Sequence, residues 1–186
     1  MPSHDVLLTM LAQRSARSGH FILASGRQST LYVDARLTTM SPDGLALIGP
    51  LALQVLHDTG WGVEAVGGLT LGADPVSYAI AYASATSSMP LRAFTIRKEA
   101  KKHGTGQLIE GPFRPGDRVE IIEDVITTGG SAIRAVQAVR AAGGFVIGVL
   151  ALVDREEGGR EVLQEADIPM VSLISARELV ARLSFI

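Results

Sequence analysis

The stretch VEIIEDVITTGGS, residues 119–131, decides how this 186-residue chain is read. Its opening is an apolar run that predicts a buried strand over 119–123. Two adjacent carboxylates, Glu123 and Asp124, follow near the strand end, then Val125 and Ile126. Thr127, Thr128, Gly129, Gly130 and Ser131 read as a tight loop, and a helical pattern starts at Ala132. Gly129 and Gly130 admit backbone angles that other residues resist, so several N–H groups can converge on one anion. The helix adds the positive end of its dipole. The stretch is therefore a phosphate cradle. It is not a Walker A loop, because GxxxxGK[ST] occurs nowhere in the chain.

Outward from this stretch, strands and helices alternate. The pattern predicts strands over 63–66, 91–96, 145–153 and 170–174, and helices over 74–85, 132–142, 160–166 and 177–183. Such alternation argues for an α/β fold whose parallel sheet is covered on both faces. Ligands then sit at the C-terminal ends of the strands. Towards the N-terminus, Val6, Leu7, Met10 and Leu11 form one stripe of a helix predicted over 5–18, with Ser3 as cap and Gly19 as stop. Strands over 21–24 and 31–33 form a hairpin with Arg27 near its tip. Ser41 caps a helix over 42–57 that starts with Pro42, and Gly60 ends that region. Length favours a single domain over 1–186, with an N-terminal helix and hairpin over about 1–40 and an α/β core over about 60–175. Glu120 fits poorly: it stands in a strand that should be buried, and either a place at the sheet margin or a partner such as Arg118 or Arg92 would accommodate it.

The composition, 47% hydrophobic and 19% charged, is that of ordinary soluble globular proteins. A net charge of −2 gives no global basic field for nucleic acid. Without cysteine, disulfide and thiolate chemistry are excluded. The start, MPSHDVLL, lacks the pattern of a signal peptide, and the uncharged run over 141–153 holds an arginine-free apolar core too short for a bilayer span of about 20 residues. A cytoplasmic protein with no membrane or nucleic-acid partner is expected.

A phosphate cradle alone needs no acids, because carboxylates repel phosphate. Glu123 and Asp124 ahead of the cradle suggest a ligand with hydroxyls or a metal beside its phosphate, and a ribose 5-phosphate fits. The stretch resembles the 5-phosphoribosyl 1-pyrophosphate (PRPP) motif of type I phosphoribosyltransferases. That resemblance implies the corresponding fold, a parallel sheet flanked by helices with a small N-terminal hood and a flexible catalytic loop. It implies PRPP binding by Glu123, Asp124, Val125, Ile126, Thr127, Thr128, Gly129, Gly130 and Ser131.

The segment RKEAKKHGTGQLIEG, residues 97–111, is too long for an ordinary connection after a strand. A cationic run of this kind is ordinarily a solvated face. Beside a phosphate cradle, with Gly104 and Gly106 inside it, it reads as a lid whose cations stabilise a polyanionic leaving group. The segment closely resembles the catalytic loop of orotate phosphoribosyltransferases. Carried over, Arg97, Lys98, Lys101 and His103 are catalytic, and Lys101 is expected to matter most. FILASGRQSTLYVDAR, residues 21–36, resembles the family's hood, in which Arg27 would approach the pyrophosphate of PRPP. VDREEGG, residues 153–159, places Arg155 at a strand end, where a guanidinium can grip the orotate carboxylate bidentately. The resemblance adds Thr127 as a second orotate-binding residue, Mg²⁺ held mainly by PRPP and water near Glu123 and Asp124, and a homodimer that shares its loops.

The resemblance has gaps. An aromatic–lysine pair found in many members is replaced here by Gly68, Leu69, Thr70, Leu71 and Gly72, and Leu31, Tyr32 and Val33 stand where some members place a Phe pair. Two other readings stay open: a phosphoribosyltransferase for a neutral purine or uracil base, and a PRPP-sensing regulator without catalysis. Arg155 weighs against the first, since a neutral base needs no guanidinium. The retained lid and the lack of a DNA-binding module weigh against the second.

Overall fold

The computed structural model describes residues 2–22, 28–99 and 108–184. In chain order the elements are α1 (Pro2–Arg14), β1 (Ala16–Ile22), β2 (Gln28–Val33), α2 (Arg36–Thr39), α3 (Pro42–Thr59), β3 (Ala65–Leu69), α4 (Ala73–Ser84), β4 (Arg92–Ile96), β5 (Ile109–Glu110), β6 (Arg118–Ile126), α5 (Gly130–Ala141), β7 (Phe145–Asp154), α6 (Gly159–Glu165), β8 (Met170–Ser175) and α7 (Ala176–Leu183). Six strands form one sheet in the order β5-β4-β3-β6-β7-β8. All neighbours are parallel except the short β5, which runs antiparallel to β4. β1 and β2 form a separate antiparallel hairpin.

Strand side chains alternate between two faces, and the core divides accordingly. On one face Ile122, Leu150 and Leu152 pack with Leu7 and Leu11 of α1, Ile48 of α3, Ile80 of α4 and Leu179 of α7. On the other, Ile121, Val149 and Ala151 pack with Val136 and Val139 of α5 and Leu163 of α6. The mixed α/β class and the helix-covered parallel sheet are as the alternation implies. Among the described residues no helix is long and apolar enough to cross a membrane.

Ser41 caps α3 by accepting from Gly44 N, and Gly60 closes it in the left-handed region at φ 66°. α7 carries a capping box in which Ser175 and Glu178 satisfy each other's backbone donors. α1 departs from expectation. It ends at Arg14, and Ala16, Arg17 and Ser18 pair with Val33, Tyr32 and Leu31 instead of continuing the helix. Ladder hydrogen bonds and the buried Ser15–Thr38 hydroxyl pair, 2.7 Å apart, outweigh local helix preference there. Since α1 begins at Pro2, Ser3 lies inside it and is not its cap.

Neither accommodation foreseen for Glu120 holds. It is fully buried in β6, between β3 and β7. The Arg118 guanidinium donates to Gly62 O (3.0 Å) and Trp61 O. Arg92 makes a bidentate pair with Asp117 at 2.7 and 2.9 Å. Glu120 lies beside the Trp61 ring and opposite Gly148, and neither of its oxygens has a hydrogen-bond partner among the described residues. Burial pushes its carboxyl well above the usual carboxylate range.

Candidate active site

β6 extends past the expected end at Glu123 to Ile126, because its pairing with β7 continues to Ile126 opposite Asp154. The acid pair therefore sits in the final turns of a central strand. Glu123 is buried, and its Oε1 has no partner among the described residues. Burial first, and the neighbouring Asp124 second, push its carboxyl up to about 8, against the pull of Arg134. Burial also raises Asp124, while backbone N–H groups and the Arg36 charge pull it down. Two acids held in this way suit a ligand that brings hydroxyl donors or a cation.

The loop after β6 leads into α5 at Gly130. Gly129 is the residue before the helix and adopts φ 79°, a conformation that requires glycine, and its Cα face packs against Gly159 of α6. Gly130 differs: its φ is not positive, and open space surrounds the position a Cβ would take. Only one of the two glycines is thus demanded by the backbone, and the other leaves room above the helix start. The first N–H groups of a helix have no intrahelical acceptors, so those of α5 are available to an anion. Ser131 Oγ accepts from Arg134 at 3.1 Å. Ile126 points into the core, so only its backbone faces this region.

A cavity of about 360 Å³ gathers much of the expected site. Glu123, Asp124, Val125 and Ser131 line it from β6 and α5; Lys98 lines it from the end of β4. Its remaining wall includes Tyr32 and Asp34, Arg36 from α2, Arg134 of α5, and the turn Thr70, Leu71 and Gly72 after β3. Tyr32 and the turn stand where the resemblance has its gaps, whereas Asp34, Arg36 and Arg134 were not foreseen. A methyl group at Gly72 would collide with the Asp124 carboxylate, so the turn rests directly on Asp124. Arg36 donates to Asp34 through Nε (2.8 Å) and a terminal nitrogen (2.9 Å), which fixes its guanidinium at the cavity rim. The Asp-x-Arg spacing at 34–36 was the available signal.

Arg155 follows β7, and its N–H donates to Ile126 O at 2.9 Å, which brings it beside Thr127. One terminal nitrogen of its buried guanidinium donates to Ser29 Oγ (2.8 Å), Leu31 O (2.7 Å) and Glu157 Oε1 (2.6 Å). The hairpin is thereby tied to the sheet. Arg155 Nε is buried and has no partner among the described residues. Under the hairpin lies a second cavity, about 730 Å³, lined by His20, Phe21, Gln28, Ser29 and Glu157 among others. Asp154 does not pair with Arg155; it accepts from Glu156 N (2.8 Å) and Arg160 (3.0 Å).

Arg97 N donates to Leu108 O at 2.9 Å, which joins the two ends of the lid segment, and its guanidinium lies 3.4 Å from Glu110. Arg27, Lys101 and His103 lie outside the described residues. No group of three or more metal-binding side chains occurs among the described residues, and the cavity is lined by three carboxylates, Asp34, Glu123 and Asp124, of which Asp34 is engaged by Arg36.

No protein-family model matches the chain. Orotate phosphoribosyltransferase of Aquifex aeolicus (strain VF5) is 45% identical over 183 residues, covering 97% of this chain and 99% of that protein. The protein of the same name from Synechocystis sp. is 46% identical over 174 residues, covering 93% and 86%. Among solved structures, Mycobacterium tuberculosis orotate phosphoribosyltransferase in complex with PRPP superposes with a TM-score of 0.81 at 38% identity, covering 96% of this chain and 99% of that one. A phosphoribosyltransferase from Corynebacterium diphtheriae gives a TM-score of 0.84 at 34% identity, covering 97% and 99%. With a strand-end acid pair, a helix-start cradle and relatives this similar over nearly its whole length, the chain belongs to the orotate phosphoribosyltransferase family.

Proposed function

We infer that this protein transfers the 5-phosphoribosyl group of PRPP to orotate, yielding orotidine 5′-monophosphate and pyrophosphate in de novo pyrimidine synthesis. The observation that carries this reading is the arrangement at the end of β6. An acid pair, Glu123 buried and Asp124 half-buried, stands immediately before a helix-start cradle, and Arg155 stands on the adjacent strand end. In this assignment residues 127–131 hold the 5-phosphate, Glu123 and Asp124 accept from the ribose hydroxyls, and Thr127 and Arg155 receive orotate. Pyrophosphate lies between Lys98 and the 70–72 turn, with Arg97, Lys101, His103 and Arg27 adding charge. As the C1–O bond to pyrophosphate loosens, the ribosyl ring gains oxocarbenium character and orotate N1 attacks C1. Cations placed around the departing oxygens stabilise charge that is largest in the transition state. Orotate can lose its N1 proton before binding, so the site needs no strong base.

The acids also suit Mg²⁺, a hard cation that takes oxygen ligands and keeps several waters. Glu123 and Asp124 would face it, and bound with PRPP it would supply positive charge to the pyrophosphate and ribose oxygens. The same reading carries a cytoplasmic protein folded as one domain and working as a homodimer. Exposed Leu71, Tyr78 and Tyr82 on and next to α4 support a subunit contact there.

The test is the absorbance loss of orotate on mixing protein, PRPP and Mg²⁺, with uracil and hypoxanthine in parallel. Loss with orotate alone is the expected result. Turnover of a neutral base instead would move the chain to another substrate, and PRPP binding without any turnover would favour a sensor.

A further inference from the structure

The 70–72 turn carries no charged side chain, yet it lines the cavity together with Ser131 of the phosphate cradle, and Gly72 lies against Asp124. Its hold on that position comes from outside the cavity. Thr70 Oγ1 donates to Asp74 Oδ2 at 2.6 Å, and Thr95 Oγ1 donates to Asp74 Oδ1 at 2.8 Å. Tyr78 Oη lies 2.7 Å from the same Thr95 hydroxyl. Thr70 N also donates to Ile96 O at 2.9 Å. One carboxylate in the first turn of α4 therefore joins the turn to β4, the strand that leads to Lys98. Both of its oxygens accept hydroxyl protons, and hydrogen bonds to a charged acceptor are the stronger kind. Asp74 itself is absent from the cavity lining, and Gly72, two residues before it, touches Asp124.

We propose that Asp74 is a positioning residue that acts through Thr70 to hold the 70–72 turn where pyrophosphate is received. The proposal rests on the assignment of that end of the cavity to pyrophosphate. Asp74 touches neither substrate nor the reacting atoms. With the Thr70 hydroxyl proton committed to Asp74, the turn meets the leaving group with its backbone in one fixed arrangement. Without Asp74 the turn must be ordered at each binding event, which weakens binding and misplaces a group whose charge grows as the bond breaks.

The experiment measures affinity for magnesium pyrophosphate and for ribose 5-phosphate by titration calorimetry in the full-length chain. Asp74→Ala is expected to weaken magnesium pyrophosphate about tenfold, the scale of one or two lost hydrogen bonds, while ribose 5-phosphate affinity stays within about twofold. Asp74→Asn keeps the shape and can still bond both hydroxyls, so it should recover most of the affinity and guards against misfolding of the alanine variant. In a Thr70→Val background, Asp74→Ala should cost nothing further, because both changes break the same link. Unchanged pyrophosphate affinity, equal losses for both ligands, or additive costs in the double variant would each overturn the role. A wild-type protein that binds magnesium pyrophosphate with this dependence but leaves orotate unconsumed would remove the substrate reading and leave the role of Asp74 standing. Absence of pyrophosphate binding by the wild type would overturn both.

Discussion

Two glutamates three residues apart on one strand show what burial costs and what it serves. Glu123 ends on a cavity with an unpartnered oxygen, as a group awaiting a hydroxyl does. Below its raised value of about 8 the Glu123 carboxyl is largely neutral, so Glu123→Gln, which keeps the shape but can never become a charged acceptor, should lower PRPP affinity about tenfold at about pH 9, the scale of a lost charge-assisted hydrogen bond, without loss of thermal stability. Calorimetric titration beside a thermal melt checks both halves; a parallel fall in stability would make Glu123 a structural residue. Glu120 lines neither of the two cavities described above and is held neutral by burial. Its folded pKa is raised, so the native state binds more protons than the unfolded chain once pH exceeds the unfolded value near 4.5. Stability from this group is complete below that pH and is lost as pH rises towards the folded pKa. Glu120→Gln cannot titrate, so relative to wild type it should gain up to about 1.4 kcal/mol per pH unit across that window. Urea unfolding of both proteins at about pH 5, 6 and 7 measures the difference, and a pH-independent difference would show that Glu120 is charged when folded. The sequence already separates these acids, since Glu123 stands beside Asp124 ahead of the cradle while Glu120 interrupts the apolar run; what it does not report is that the strand runs three residues further than that run suggests and buries Glu120 between two neighbours.

At the scale of elements, the cradle depends on two glycines that do different things. Gly129 carries the left-handed turn into α5, whereas Gly130 adopts an ordinary helical start below open space. Gly129→Ala should therefore destabilise the fold by about 1 kcal/mol or more through backbone strain. Gly130→Ala should leave stability nearly unchanged while its methyl group intrudes on the 5-phosphate, so ribose 5-phosphate affinity falls. Denaturant unfolding and ligand titration of both variants check the contrast, and equal behaviour would refute it. The strand–cradle–helix unit was legible because three signals coincide within thirteen residues: an apolar run, an acid pair and small residues before a helical period. The α3 cap and its closing glycine were legible for a similarly local reason. Arg36 was not, and the 70–72 turn only as a place where the resemblance breaks, since they reach the acids only through parallel pairing of β3 with β6 and through the packing of β2 over the strand ends. The end of α1 was misplaced because residues 16–18 find strand partners at 31–33, a contact that local preference does not report.

At the scale of the whole molecule, three exposed side chains lie on and next to α4, beside the cavity wall. Tyr78 and Tyr82 stand one turn apart on α4, Leu71 precedes that helix, and all three are exposed, Tyr82 at 86%. Apolar groups grouped in this way mark an interaction surface, and α4 begins directly after the turn that walls the cavity. A partner subunit seated there would stand next to the pyrophosphate end of the site, close enough for a lid to be shared. Complementation tests that geometry. Lys101→Ala removes the lid cation expected to act mainly in the transition state, so this variant alone should lose turnover much more than PRPP affinity. Arg155→Met removes the guanidinium at the orotate end of the site, within one subunit's own sheet. If the lid crosses between subunits, a mixed dimer of the two variants holds one site with both defects and one with neither. Random mixing then makes half the dimers mixed, and activity should return to about a quarter of the wild-type level. If each lid serves its own subunit, every site in the mixture carries one defect and activity stays at that of the separate variants. Tyr82→Glu on both chains should abolish the recovery by placing charge in the contact, and sedimentation would then find monomers. Recovery that survives Tyr82→Glu would place the shared interface on another face of the molecule.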